Sequence, residues 1–152
     1  MGTLATDNSD GAFNPRQGAR DFFFYTHAVV TLSVANPTAT AVIQLDTDSD
    51  FYLIAMTQQT DITGLTLTEA TNVIPLARVL ITDSGSGKAL MNSPVPLGAL
   101  MGDGKRPYRF IRPRLFSGGS TIQLAYSNYV TGATVQTLQT VLHGYKRYFS
   151  NG

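Results

Sequence analysis

The chain has 152 residues, of which 43% are hydrophobic and only 14% charged, with a formal net charge of +1 and no cysteine. That length suits one domain burying roughly 68–70% of its unfolded surface, and the missing cysteine excludes disulfides and thiolate metal sites. Glycine, threonine, serine, asparagine and proline stand where charges are usual, which favours short strands and turns over helices.

No apolar run reaches the roughly 18 residues of a membrane helix. The N-terminus has neither the basic start nor the apolar centre of a secretion signal, so synthesis in a cytoplasm is expected. The charge is unevenly placed: Asp46, Asp48, Asp50, Asp61 and Glu69 follow one another with no base between, and Lys105, Arg106, Arg109, Arg112 and Arg114 with no acid.

Met1 to Arg20 is polar, rich in small residues and without apolar period, and is expected to be a flexible arm (1–20) ahead of a single domain (21–152). Phe13, Arg16 and Arg20 are its candidate partner contacts. From Asp21 the chain turns apolar: Phe22, Phe23, Phe24 and Tyr25 are consecutive and Val29, Val30, Leu32 and Val34 follow, which predicts a strand buried on both faces and ending near Asn36-Pro37. Ala41, Ile43 and Leu45 alternate with Val42 and Gln44 in a second strand, and Phe51 to Met56 is a third, again apolar on both faces.

Thr57 to Asn72 is threonine-rich and weakly patterned, fitting either a long loop or a short strand at Leu65 to Leu67. Ala77, Val79 and Ile81 then line one face of a strand beginning after Pro75, and the glycine turn Ser84 to Lys88 predicts a hairpin back through Ala89 to Met91. Pro94, Pro96, Gly98 and Gly102 exclude a regular helix from Asn92 to Asp103. After the turn Ser117 to Ser120, Ile122, Leu124 and Tyr126 share one face of a strand, and Thr134 to Phe149 is expected to be its hairpin partner. About eight short antiparallel strands with no convincing helix predict an all-β sandwich.

The local motifs have plain structural explanations. Asp46-Thr47-Asp48-Ser49-Asp50 begins like a calcium loop, but Phe51 and Thr57 stand where the turning glycine and the bidentate glutamate belong. Gly85-Ser86-Gly87-Lys88 lacks the first glycine and the magnesium-binding hydroxyl of a phosphate loop and reads as a hairpin tip. Gly118 to Ile122 fails the nucleophile elbow at Ile122 and reads as a turn. His27 and His143 are the only histidines, read as structural residues that become neighbours if the first and last strands pair.

Lys105, Arg106, Arg109, Arg112 and Arg114 interleave with Tyr108, Phe110 and Ile111. Pro107 and Pro113 interrupt the segment and the bases do not share one parity, so no clean basic face forms. Salt-linked contact with an acidic protein surface fits this pattern better than solvated bases or a nucleic-acid groove.

Taken together, five segments resemble the jelly-roll cement or decoration proteins of tailed-bacteriophage capsids, typified by that of the Bordetella podophage. They are the aromatic opening Asp21 to Tyr25, the acidic step Asp46 to Leu53, the hairpin Asp83 to Leu90, the run Pro113 to Asn128, and the ending Leu142-His143-Gly144-Tyr145-Lys146-Arg147-Tyr148. The order and spacing cover nearly the whole chain after residue 20, while the basic segment from Lys105 to Arg114 departs from the pattern. The resemblance implies a jelly roll of two packed sheets, no enzyme activity and no cofactor. Its implied partners are the major capsid protein and itself, as a homodimer or trimer, on the outside of a phage head made in a bacterial cytoplasm; neither membrane nor nucleic acid is an expected partner. Deleting Met1 to Arg20 is expected to leave the domain folded and weaken capsid binding. A head-fibre base or receptor-binding module in few copies is the alternative; a glycan hydrolase would need carboxylates such as Asp46, Asp48, Asp50 and Glu69 to converge in a cleft.

Overall fold

The computed structural model describes residues 21–62, 64–66, 68, 71–128 and 135–149. The arm with Phe13, Arg16 and Arg20, together with Leu67, Glu69 and 129–134, lies outside the described residues. The elements in chain order are β1 (Asp21–Leu32), β2 (Thr38–Gln44), β3 (Ser49–Ile62), β4 (Ala77–Asp83), β5 (Lys88–Ala89), β6 (Val95–Pro96), α1 (Leu97–Leu100), β7 (Tyr108–Phe116), β8 (Thr121–Asn128) and β9 (Gln136–Tyr148).

One sheet has the order β1-β9-β3-β7 and the other β2-β8-β4-β5, with β6 also on β4. All strand pairs are antiparallel. The chain passes repeatedly from one sheet to the other, the connectivity of a jelly-roll-like β-sandwich. The inward rows predicted by alternation form the core: Ala77, Val79 and Ile81 of β4 and Ile122, Leu124 and Tyr126 of β8 meet Leu32, Phe51, Leu53, Met56, Leu138 and Leu142 of the other sheet. The hairpin at Ser84 to Lys88 forms as expected, with Thr82 opposite Ala89.

The expected pairing of the last two strands is corrected. β8 pairs β2 and β4, whereas β9 pairs β1 and β3. Side by side in one sheet, their two apolar rows would share a face and still need covering; on opposite sheets each covers the other. A buried polar contact spans this interior, Tyr126 Oη to Thr140 Oγ1 at 2.7 Å, and burial pushes the Tyr126 phenol up to about 12. Tyr126→Phe is expected to cost about 1–2 kcal/mol because it strands a buried Thr140 hydroxyl, and adding Thr140→Val is expected to recover most of that loss. Urea unfolding of both single variants and the double variant checks this; strict additivity would sink it.

Three further expectations change. β1 is not covered on both faces among the described residues: Phe22, Phe23, Tyr25 and Val29 are exposed, while Ala28, Val30 and Leu32 are buried. β3 also runs past Met56 to Ile62, because β9 offers a continuous ladder from Ser49↔Tyr148 to Ile62↔Gln136, broken only by a bulge at Leu53/Ala55. Pairing outweighs the weak local pattern of these threonines. Between Asn92 and Asp103 the chain makes one turn of helix, α1, seated by the buried Leu97 and closed by Met101 N–H to Leu97 O at 2.8 Å. Pro96 precedes it, where a missing N–H costs nothing.

Charged groups pin the sandwich ends. Arg147 grips Asp21 with two hydrogen bonds of 2.8 and 2.9 Å, and Lys146, buried over the Phe24 ring at 3.7 Å, donates to Asp46. Asp50 accepts from Gly118 N–H at 2.8 Å, and Asp83 from Gly85 N–H and Ser86 Oγ at 2.9 and 2.8 Å. Asp46 and Asp50 of the acidic run, and the carboxylate before the glycine turn, are thus occupied in holding loops.

Candidate functional site

The outward residues of the first sheet form a surface that alternation and register define together. On β1 the outward positions are Phe23, Tyr25, His27 and Val29, and opposite them on β9 stand Tyr145, His143, Val141 and Gln139. The next strand places Tyr52 beside Tyr145 and Ala55 beside His143, and β7 places Leu115 beside Tyr52 and Arg109 beside Ala55. One cross-strand row therefore reads Tyr25, His143, Ala55, Arg109.

That row holds a hollow of about 330 Å³, lined among others by Tyr25, Ala55, Thr57, Pro107, Arg109 and His143. It exists because two strands break register there. β3 carries Ile54 as an extra residue at its bulge, and between Arg109 and Arg114 β7 runs five residues where β3 advances two, from Ala55 to Leu53. The small Ala55 makes the floor between a histidine and an arginine. The loop before β7 forms a rim through Gly104 and Pro107; it is tied to β3 by Gln58 N–H to Gly102 O at 2.9 Å. Only glycine fits at 102, where an added Cβ would stand 1.5 Å from Arg106 O.

Inside the hollow, Thr57 Oγ1 and His143 Nε2 are 2.8 Å apart, and the Tyr25 ring stands edge-on to His143 with centroids at 5.2 Å. Partial burial and then the nearby Arg109 guanidinium hold the His143 imidazole below its usual value. Arg109 has no carboxylate within ion-pair distance among the described residues. One row away, Tyr52 and Tyr145 stack at 4.9 Å and 5°, with Arg147 over Tyr52 at 4.9 Å.

The candidate bases separate. Arg109 enters the hollow, whereas Lys105 and Arg106 sit on the rim loop with their N–H groups on Asp103 Oδ1 at 2.9 and 2.8 Å. Arg112 is exposed in the register break. Arg114 turns to the sandwich end, 3.7 Å from Asp83, with its Nε buried without a partner. Tyr25, Thr57 and His143 were not singled out as site residues from the sequence; the odd-numbered parity of Phe23, Tyr25, His27 against His143, Tyr145 was the legible signal, but it needed the β1–β9 register to give it meaning. His27 falls opposite Val141, two residues from His143 along the same face. Comparison with family models, curated proteins and solved structures finds no match to this chain, so its function is argued from its own surfaces.

Proposed function

We propose that this protein is a structural virion component, a cement or decoration protein that binds the outside of a tailed-phage head, associates with itself and stabilises the coat lattice. The resemblance of residues 21–148 and the jelly-roll-like sandwich are compatible with that role, and β1 is the observation that carries it. Its twelve residues pair without interruption to β9, and its other side meets no strand among the described residues. It contains no lysine, proline or glycine. The opposite edge, β7, carries Pro113, three arginines and a broken register. Edges are normally blunted in the second way, so an unguarded long edge is one built to be covered. A second copy adding across a two-fold axis would meet the same edge twice. An added protein that binds assembled coat better than free subunits stabilises the shell by mass action.

Quantitative mass spectrometry of purified particles tests the reading. Copies near one per coat subunit, or a simple lattice fraction, are expected; absence from particles would overturn it. A handful of copies would favour instead a fibre base or receptor-binding module, a reading for which the hollow on the outer face speaks. The edge has its own check. His27→Lys with Val29→Lys, both outward and exposed, is expected to abolish self-association in sedimentation velocity without unfolding the domain; an unchanged oligomer would place the contact elsewhere.

A further inference from the structure

We infer that the hollow between β1, β9, β3 and β7 is a binding site for an acidic sugar unit of a glycan, with Arg109 taking the carboxylate, Thr57 and His143 the hydroxyls, and Tyr25 the apolar face of the ring. This inference is independent of the coat reading, since it uses the outer sheet face rather than the β1 edge.

Four observations converge on this ligand. The volume, about 330 Å³, lies at the lower end of ligand pockets, which run to about 1,000 Å³, and so suits one ring-sized unit. The cation is single and available: Arg109 has no acid partner among the described residues, while the nearby Arg147 is committed to Asp21. A carboxylate on that guanidinium forms charge-assisted, geometrically specific hydrogen bonds. A polyphosphate would need several such cations, and among the described residues only Arg109 enters the hollow.

The remaining groups recognise hydroxyls rather than further charge. Thr57 Oγ1 both donates and accepts, and the His143 imidazole, held neutral at neutral pH, has Nδ1 free of any hydrogen-bond partner among the described residues. With Nε2 engaged by Thr57, the free Nδ1 of a neutral ring donates or accepts one hydrogen bond according to its tautomer, which matches a sugar hydroxyl and does not repel a neighbouring arginine.

The apolar wall is the Tyr25 ring, with Phe23 one row beyond it on the same face of β1. Tyr25 and Phe23 are both largely exposed, at 61% and 81%, and point the same way from alternate positions of β1, about 6.6–6.8 Å apart along the strand. Such rings present apolar faces beside polar groups, the combination that a sugar ring with its C–H face and hydroxyl rim requires. An acidic peptide would use the cation but leave the hydroxyl partners and the second ring idle.

The test is titration of the ¹⁵N-labelled protein with tri-galacturonate and with 3′-sialyllactose, each against its uncharged counterpart, tri-galactose or lactose, and against oligo-glutamate. At least one acidic glycan is expected to shift the amides of Tyr25, Thr57, Arg109 and His143 and to bind about tenfold or more tightly than its neutral counterpart. Arg109→Gln is expected to erase that preference, Tyr25→Ala to weaken binding of both acidic and neutral forms about fivefold, and Lys88→Gln, at a hairpin tip on the other sheet, to change nothing. Both contact residues are exposed, so the variants are expected to keep the wild-type amide dispersion. Equal binding of neutral sugars, survival of the preference in Arg109→Gln, oligo-glutamate binding as tightly as the glycans, or no shift with either acidic glycan would each overturn the inference.

Discussion

Gly144→Ala is expected to destabilise the domain by about 3 kcal/mol or more, because the added methyl group meets the backbone of a paired strand. Gly144 lies in the middle of β9, opposite Phe24 on one side and Leu53 on the other. A Cβ there would stand 2.0 Å from Tyr52 O and 2.7 Å from Phe51 Cε2. The ring could yield, but the carbonyl belongs to a neighbouring strand and cannot move without opening the β3–β9 ladder beside the Leu53/Ala55 bulge. The discriminating variant is therefore the double one. Phe51→Ala removes the ring contact and by itself costs about 3–5 kcal/mol as a large-to-small core change, yet it is expected to give no rescue of Gly144→Ala. Urea unfolding monitored by tyrosine fluorescence reads all three. A Gly144→Ala protein within about 1 kcal/mol of wild type, or one restored by Phe51→Ala, would show that the strand spacing is softer than this geometry requires.

Phe116→Ala is expected to cost about 3–5 kcal/mol, while Ile111→Ala on the same strand stays within about 0.5 kcal/mol of wild type. Phe116 is fully buried, stacks on Phe51 with centroids at 6.3 Å, and lies under the Arg114 guanidinium at 6.0 Å. Ile111 is fully exposed, at the point where β7 has left the ladder. Because β7 is joined to β3 by only two in-register stretches, Phe116 to Arg114 and Arg109 to Tyr108, losing the first anchor loosens the arginine that lines the hollow. Hydrogen exchange gives the second readout: amides of Tyr108 to Arg112 are expected to lose protection in Phe116→Ala and to keep it in Ile111→Ala. Equal effects of the two substitutions would show that β7 is not held by its buried end.

The two hydrogen-bonded ends of the sandwich explain why so few charges suffice. Asp21 with Arg147, Asp46 with Lys146 and Asp83 with Arg114 each join segments far apart in sequence, and the carboxylates of Asp83 and Asp50 also hold backbone N–H groups of the turns. The bidentate contact raises Arg147 further above an already high value, so its charge is fixed across all ordinary pH. Of the aspartates in the run that began like a cation loop, Asp46 and Asp50 are accounted for in this way, while Arg109 in the hollow has no carboxylate partner among the described residues.

Local periodicity alone determined the β class, the inward rows of Ala77, Val79, Ile81 and Ile122, Leu124, Tyr126, and the turns at Ser84–Lys88 and Ser117–Ser120, because a period of two and the needs of a tight turn are written within a few residues. The tertiary structure decided which strand meets which. A strand has two edges, and alternation says nothing about the neighbour on either; only the competition for cover between two apolar rows sent β8 and β9 to opposite sheets. The same holds for exposure, since Phe23 and Tyr25 have the composition of a core and lie outside it for want of a third layer among the described residues. The site followed last: Tyr25, His143, Ala55 and Arg109 come from four strands and share a row only through three registers and a bulge, none of which any one segment encodes.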